Sequence, residues 1–503
     1  MNKHDPVKAD IKRSKWNSKK IGLILGPALF LFLYYFLHLE GLSPEGHAVL
    51  ACTVWIATWW ITEAIPIAMT SLLPIILFPL TGALELSATT TSFGHKYIFL
   101  YIGGFILAIA IERWNLHRRI ALSIINMIGT NMKSIVLGFM IATAFLSMWI
   151  SNTATSVMMI PIGLAIVKQL KDHPDTIENE NLIFGKMLML AIAYSASIGG
   201  LSTLIGTPPN LVLAGILEEL YGIEISFSKW ISFGLPVSVL LLFICWKYLT
   251  DFAFKMKVAA FPGGRPEIKR QLKEMGKISY QEKMVLWVFG ATAVAWISRS
   301  FLLQPFIPAI DDTIIAVAAG IVLFLIPAGK DRALVTWKEA VKLPWGILLL
   351  FGGGLALAQG FKTSGLAEYI GSQMSLLEGI APFLVLLALV AAINFLTEIT
   401  SNLATTAMML PILAPMALSI DVHPYLLMVG ATVAASCAFM LPVATPPNAV
   451  VFGSGYLKIY DMVKAGIWMN IISIILLSII VYLVLPYLWG FDLGSFPMDW
   501  LNE

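Results

Sequence analysis

The chain has 503 residues, 58% of them hydrophobic and only 13% charged, with a formal net charge of +3. Soluble domains carry roughly a quarter charged residues, and the mean hydropathy here is +0.82, so part of this protein's solvent must be lipid. A soluble enzyme, a disordered protein and a nucleic-acid-binding domain are excluded, and apolar segments from end to end exclude a receptor with a single anchor.

The first 20 residues are basic, with Lys3, Lys8, Lys12, Arg13, Lys15, Lys19 and Lys20. The apolar run 21–39 that follows is long enough to span a bilayer, which takes about 20 apolar residues. It reads as a retained first helix rather than a cleaved signal. Further apolar segments follow at 47–62, 64–83, 97–112, 133–168, 184–217, 229–250, 281–302, 312–328, 344–370, 380–418, 423–455 and 461–489. Two of them, 133–168 and 380–418, are too long for one crossing and too short for two, and a polar cluster interrupts each near its middle. Each reads as a re-entrant hairpin. The expected fold is an all-α polytopic membrane protein with about eleven crossings and two re-entrant hairpins.

The positive-inside rule tests that count. A cytoplasmic N-terminus puts 113–133 inside with Arg113, Arg118 and Arg119, and 168–186 inside with Lys168 and Lys171. It also puts inside 251–283, with Lys255, Lys257, Arg265, Lys269, Arg270, Lys273, Lys277 and Lys283, and the loop holding Lys330, Arg332, Lys338 and Lys342. The outside loops are poor in base: 40–46 has Glu40 and Glu45, 418–424 has Asp421, and the tail after Trp489 has Asp492, Asp499 and Glu503. Segment 251–283 reads equally as an interfacial helix and loop or as a plain basic loop. Cys52, Cys245 and Cys437 lie in apolar stretches without paired spacing and read as small buried hydrophobes.

The chain repeats itself. Gly103-Gly104-Phe105-Ile106-Leu107-Ala108 recurs 250 residues on as Gly353-Gly354-Leu355-Ala356-Leu357-Ala358. Ser151-Asn152-Thr153-Ala154-Thr155, followed by Pro161, recurs at the same offset as Ser401-Asn402-Leu403-Ala404-Thr405, followed by Pro411. Gly206-Thr207-Pro208-Pro209-Asn210 returns 238 residues on as Ala444-Thr445-Pro446-Pro447-Asn448. Five crossings separate the hairpins, an odd number, so the first opens to the cytoplasm and the second to the outside. Inverted repeats with broken helices near the midplane mark a secondary transporter, with substrate at the repeat interface.

Adjacent small polar residues in an apolar segment are costly unless they are paired or face a cavity. Ser151-Asn152-Thr153 fits a hairpin tip whose unwound carbonyls suit a small hard cation and whose amides and hydroxyls suit a carboxylate. Helix packing by small polar residues is the other reading of one such cluster, and duplication at matched positions favours a site. Two consecutive prolines remove two backbone donors and forbid a continuous helix, so each Thr-Pro-Pro-Asn marks a break or, more simply, a kink. No GxxxxGK[ST] phosphate loop and no His/Cys cluster is present in the sequence, and His117 reads as an interfacial residue. Acidic residues near spans are few: Glu63, Glu112 and Glu398. Glu398, three residues before Ser401, is a proton-linked or gating group, or else a salt-bridge partner or solvated flank.

These motifs, together with Trp59-Trp60-Ile61-Thr62-Glu63-Ala64-Ile65-Pro66 and Glu112-Arg113-Trp114-Asn115-Leu116-His117, resemble the divalent anion:sodium symporter family, the sodium-coupled di- and tricarboxylate transporters. The resemblance runs from about residue 20 to the end and is nearest to bacterial dicarboxylate symporters. It implies a homodimer in a lipid bilayer, an elevator mechanism, no enzymatic activity and no cofactor beyond two or more coupling sodium ions. Scaffold helices would occupy 21–130 and 281–372, and the transport domain 131–250 and 380–489. The basic tail would be 1–20, a cytoplasmic interfacial segment 251–280, and an extracytoplasmic tail 490–503. One sodium site would use Ser147, Ser151, Asn152 and Gly206, and the other Thr397, Thr400, Asn402 and Ala444. The dicarboxylate would touch Ser151, Asn152, Thr153, Ser401, Asn402, Thr445 and Pro446, with Thr207 and Pro208 nearby. Leu403 departs from the family pattern, which has Thr at that place. The implied activity is sodium-coupled import of C4-dicarboxylates such as succinate, malate and fumarate. Sodium-independent exchange, or citrate or sulfate as substrate, are the alternatives.

Overall fold

The computed structural model describes residues 6–501 apart from 38, 130, 170–178, 256–263, 330–331 and 374–378. Lys3, Lys171 with most of the polar link around it, Lys257, Lys330 and Glu503 therefore lie outside the described residues. The described chain is helical almost throughout. One departure from the all-α expectation is a small antiparallel pairing of Pro327–Gly329 with Arg332–Ala333.

Several helices begin where sequence chemistry supplies an acceptor for their free N–H groups. Ser43 accepts from Gly46 N at 2.9 Å, Asn131 from Ser134 N at 2.7 Å and Asn179 from Leu182 N at 2.7 Å. Ser279 and Glu282 form a reciprocal capping box. One helix, Pro6–Phe36, runs from the basic tail into the first apolar run. Among the described residues eight helices are long and apolar enough to cross a membrane. Shorter helices such as Pro424–Ala435 and Pro446–Phe452 fall below that length.

Several expected single segments are interrupted. The run 64–83 splits into Ile67–Thr70 and Leu73–Thr81. The run 344–370 splits at Gly365, φ +75°, into Trp345–Thr363 and Leu366–Gln373. The run 461–489 breaks before Pro486. The stretch read as the inside loop 113–133 contains an amphipathic helix, Leu116–Ile128, which buries Leu116, Ala121, Leu122 and Ile125. Segment 251–283 contains helix Gly264–Glu274, so it is not a plain loop throughout.

Each long polar-broken segment is two helices joined by an unwound turn. The first comprises Met132–Ser147 and Asn152–Val167, the second Pro382–Leu396 and Asn402–Ser419. Each repeat holds one helix buried on all sides, with every residue of Met187–Gly200 and of Pro424–Ala435 buried. A helix apolar all round belongs in such a position. The matched Gly-Gly pairs serve close helix approach. A Cβ on Gly103 would lie 2.5 Å from the Ala316 carbonyl oxygen, and one on Gly353 would lie 2.5 Å from that of Ser71. The three cysteines are buried and free.

Candidate functional site

The two hairpins are unwound at 148–151 and 397–401, and the two buried helices at 201–207 and 436–445. The helix after each Pro-Pro turn packs against the opposite repeat. Pro446–Phe452 lies beside Asn152–Val167 and Glu180–Gly200, and Pro208–Tyr221 lies beside Asn402–Ser419 and Pro424–Ala435. This exchange packs each post-proline helix on the hairpin and buried helix of the other repeat, which the spacing of the motifs did not reveal.

At the first tip the buried Ser147 hydroxyl sits 2.6 Å from Asn152 Oδ1 and 2.7 Å from the Ala196 carbonyl oxygen. At the second the buried Thr397 hydroxyl sits 2.6 Å from Asn402 Oδ1 and 2.9 Å from the Ala435 carbonyl oxygen. A hydroxyl has one hydrogen to offer and here faces two acceptors. Each tip therefore holds more oxygen lone pairs than donors, the arrangement that favours a small hard cation. Gly206 comes close to the first cluster. A Cβ on Gly200 would lie 2.8 Å from Asn152 Oδ1 and 3.1 Å from the Gly206 carbonyl oxygen. Its repeat partner Ala444 is buried.

The other expected residues divide in two. Ser151 caps helix Asn152–Val167, accepting from Ala154 N at 3.2 Å, whereas Ser401 makes no side-chain cap bond. Thr445 caps Pro446–Phe452 by accepting from Asn448 N at 3.3 Å, and Thr207 makes no such bond. Asn152, Thr153 and Asn402 are half-buried, as is Pro208, and Pro446 is exposed. Thr400 turns away: its hydroxyl lies 2.8 Å from the Leu396 carbonyl oxygen and 2.6 Å from the Thr405 hydroxyl. Leu403 is only 6% exposed and belongs to the packed apolar core.

The asparagines of the two Thr-Pro-Pro-Asn motifs hold the unwound backbone. Asn210 Nδ2 donates to the carbonyls of Thr203, Gly200 and Leu201 at 2.8–3.4 Å. Asn448 Nδ2 donates to Leu441 and Ala438 at 3.0 and 3.3 Å. Both Oδ1 atoms are buried with no hydrogen-bond partner among the described residues, a further matched surplus of carbonyl oxygen.

Glu398 is neither a solvated flank nor a salt-bridge partner among the described residues. Its buried carboxylate accepts from Phe439 N at 2.8 Å, Met440 N at 2.9 Å, Leu441 N at 3.0 Å and Asn470 Nδ2 at 2.8 Å. It thus satisfies three amides that the break in the second buried helix sets free. The first repeat has Met148 at the matching place and uses Thr203 instead, whose hydroxyl donates to the Met148 carbonyl at 2.6 Å and accepts from Gly206 N at 3.0 Å. Asn470 and Thr203 carry no sequence signal beyond being polar in an apolar run. The tip residue Trp149 is also buried, packed in an aromatic group with Phe227, Phe289 and Trp296.

The architecture is that of a multi-pass helical membrane protein built from two repeats with paired hairpins and broken helices. The "Sodium:sulfate symporter transmembrane region" family model matches residues 17–494, and the chain belongs to this family of transporters, not to an enzyme family. It is 49% identical to the "Sodium-dependent dicarboxylate transporter SdcS" of Staphylococcus saprophyticus over 96% of this chain and 98% of that one. It is 51% identical to the protein of that name from Staphylococcus aureus strain USA300, over 94% and 93% of the two chains. Two solved transporters share the fold at 14% identity. Neisseria gonorrhoeae MtrF gives a TM-score of 0.59 over 90% of this chain and 97% of that one, and Alcanivorax borkumensis YdaH 0.60 over 89% and 100%.

Proposed function

We propose that this protein is a sodium-coupled symporter importing C4-dicarboxylates such as succinate, malate and fumarate. The observation that carries the reading is the matched pair Ser147/Asn152 and Thr397/Asn402, each an acceptor-rich cluster beside unwound backbone. Two such clusters take two or more sodium ions. The side chains of the two clusters, Ser147/Asn152 and Thr397/Asn402, are neutral, and the one charged tip residue among the described residues, Glu398, is an anion engaged by backbone amides and Asn470. Bound cations therefore balance the substrate's two negative charges, and empty sites leave a dicarboxylate unscreened at membrane depth. Coupling follows, because the substrate binds well only after the ions. The sodium dependence and dicarboxylate substrate in the names of the Staphylococcus relatives support the same reading.

In this reading the first sodium site comprises Ser147, Ser151, Asn152 and Gly206, and the second Thr397, Thr400, Asn402 and Ala444. Thr400 contributes its main-chain carbonyl, since its hydroxyl is engaged elsewhere. The dicarboxylate lies between Ser151, Asn152 and Thr153 on one side and Ser401, Asn402, Thr445 and Pro446 on the other, with Thr207 and Pro208 adjacent. The chain has about eleven crossings, a cytoplasmic N-terminus and an outside C-terminus, and it works as a homodimer whose transport domains, 131–250 and 380–489, slide against a scaffold at 21–130 and 281–372. The experiment is uptake of labelled succinate into proteoliposomes in sodium and in choline media, each with and without internal dicarboxylate. Symport requires sodium outside and no internal dicarboxylate. Uptake that needs internal dicarboxylate and ignores sodium makes the protein an exchanger, and competition by sulfate or citrate decides the substrate class.

A further inference from the structure

Apart from the tips, helices Phe227–Lys247 and Ile459–Leu483 part to leave a cavity of about 690 Å³. None of the tip or unwound-segment residues lines it. The cavity is built rather than incidental. The first helix widens into a π-helical turn, Tyr248–Ala253, a departure that is frequent at functional sites. The Tyr248 hydroxyl then donates to the Ala465 carbonyl at 3.0 Å and ties the two helices together at the cavity wall.

The lining has two chemistries. One is apolar and open: Phe243, Phe252, Tyr460 and Trp468 are each more than half exposed and leave a wall that no described residue covers. The other is cationic, with Lys247 and Lys464 on the lining. The nearby carboxylates are already engaged. Asp461 is held by Lys186 at 2.9 Å, and Asp251 is bonded by Lys133 and lies 3.5 Å from Lys247. Lys464 has no carboxylate partner among the described residues and stands 6.0 Å from the Tyr460 ring centroid. Four ammonium groups thus meet two carboxylates.

A purely apolar occupant would leave that positive surplus unanswered, and a small soluble anion would leave the aromatic wall bare. Trp, Tyr and Lys together mark the headgroup level of a bilayer, and basic pockets between membrane helices take anionic head groups. We propose that this cavity binds an anionic phospholipid, its phosphate between Lys247 and Lys464 and its acyl chains along Phe243, Trp468 and Ile472. The site is separate from the tips and holds its lipid whichever solute they carry.

The test is native mass spectrometry of the purified full-length protein titrated with phosphatidylglycerol, phosphatidylcholine or glycerol 3-phosphate. The wild type is expected to retain phosphatidylglycerol in preference to phosphatidylcholine and not to bind glycerol 3-phosphate. Lys247→Gln with Lys464→Gln should weaken phosphatidylglycerol binding about tenfold or more, and the Lys→Arg pair should restore it. Lys464→Gln alone breaks no ion pair of the described residues, so it serves the same comparison if the double variant does not fold. Undiminished lipid binding by the Gln variants overturns the site, as does equal binding of phosphatidylcholine, or glycerol 3-phosphate bound as tightly as the lipid.

Discussion

Glu398→Gln tests whether the buried carboxylate at the second tip holds backbone or carries protons. In the native site Oε1 accepts from Phe439 N, Met440 N and Asn470 Nδ2, and Oε2 from Leu441 N. Glutamine keeps one acceptor oxygen. Placed to keep the three bonds at Oε1, it points its NH₂ at the Leu441 N–H, which strands that donor at a cost of about 1–3 kcal/mol. The three surviving bonds lose their charge assistance, about 1 kcal/mol each. The neutral amide escapes the carboxylate's desolvation penalty, which offsets part of the loss. A net destabilisation of about 2–4 kcal/mol follows, and Glu398→Ala, which strands all four donors, should cost more. The assay pairs the melting temperature of the purified protein with the pH profile of sodium-driven succinate uptake. Both variants should melt below wild type, Ala lowest, and the residual uptake of Glu398→Gln should keep the wild-type pH profile. A wild-type melting temperature together with an altered pH profile would refute the backbone role and make Glu398 a proton carrier.

Three further outcomes are expected. Thr153→Ala should raise the succinate KM about tenfold, whereas Leu403→Ala, which truncates a buried core side chain, should change KM only a few-fold and lower the melting temperature, as losses of about 2–5 kcal/mol do. Kinetics and thermal melts on both variants separate these effects. Gly206→Ala should abolish sodium-dependent uptake, because its Cβ would fall 2.5 Å from the Gly200 carbonyl oxygen, while Ala444→Gly should remain active. With the three buried native cysteines replaced, a cysteine at Gln169 should react with impermeant thiol reagents only from the cytoplasm and one at Asp421 only from outside, and same-sided labelling would remove the inverted repeat.

The breaks were legible because their chemistry is local. Two adjacent prolines cannot continue a helix, and Ser-Asn-Thr in an apolar run signals a tip, so unwound segments fall where Pro208-Pro209, Pro446-Pro447, Asn152 and Asn402 predict. Helices Leu116–Ile128 and Leu366–Gln373 were not legible. The first carries Arg118 and Arg119 and so reads as a cytoplasmic loop, and the second is short and continuous in hydropathy with the span before it. At the tips, Asn152 and Asn402 follow from motif position and Ser147 and Thr397 only from the family resemblance, but what Glu398 does depends on amides 41–43 residues away. Sequence spacing cannot encode such a contact. Nor could it encode the packing of each post-proline helix on the opposite repeat, which depends on how the repeats dock. Leu403 shows the converse: aligned by motif with the half-buried Thr153, it is turned into the core.

The paired tips are tested most directly by calorimetric titration of succinate into purified wild-type, Asn152→Ala and Asn402→Ala protein, in sodium and in choline. Wild type should bind succinate in sodium only, and each variant should lose that binding while keeping wild-type monodispersity. Succinate binding by wild type in choline, or wild-type affinity in either variant, would contradict a sodium-dependent site built from both tips.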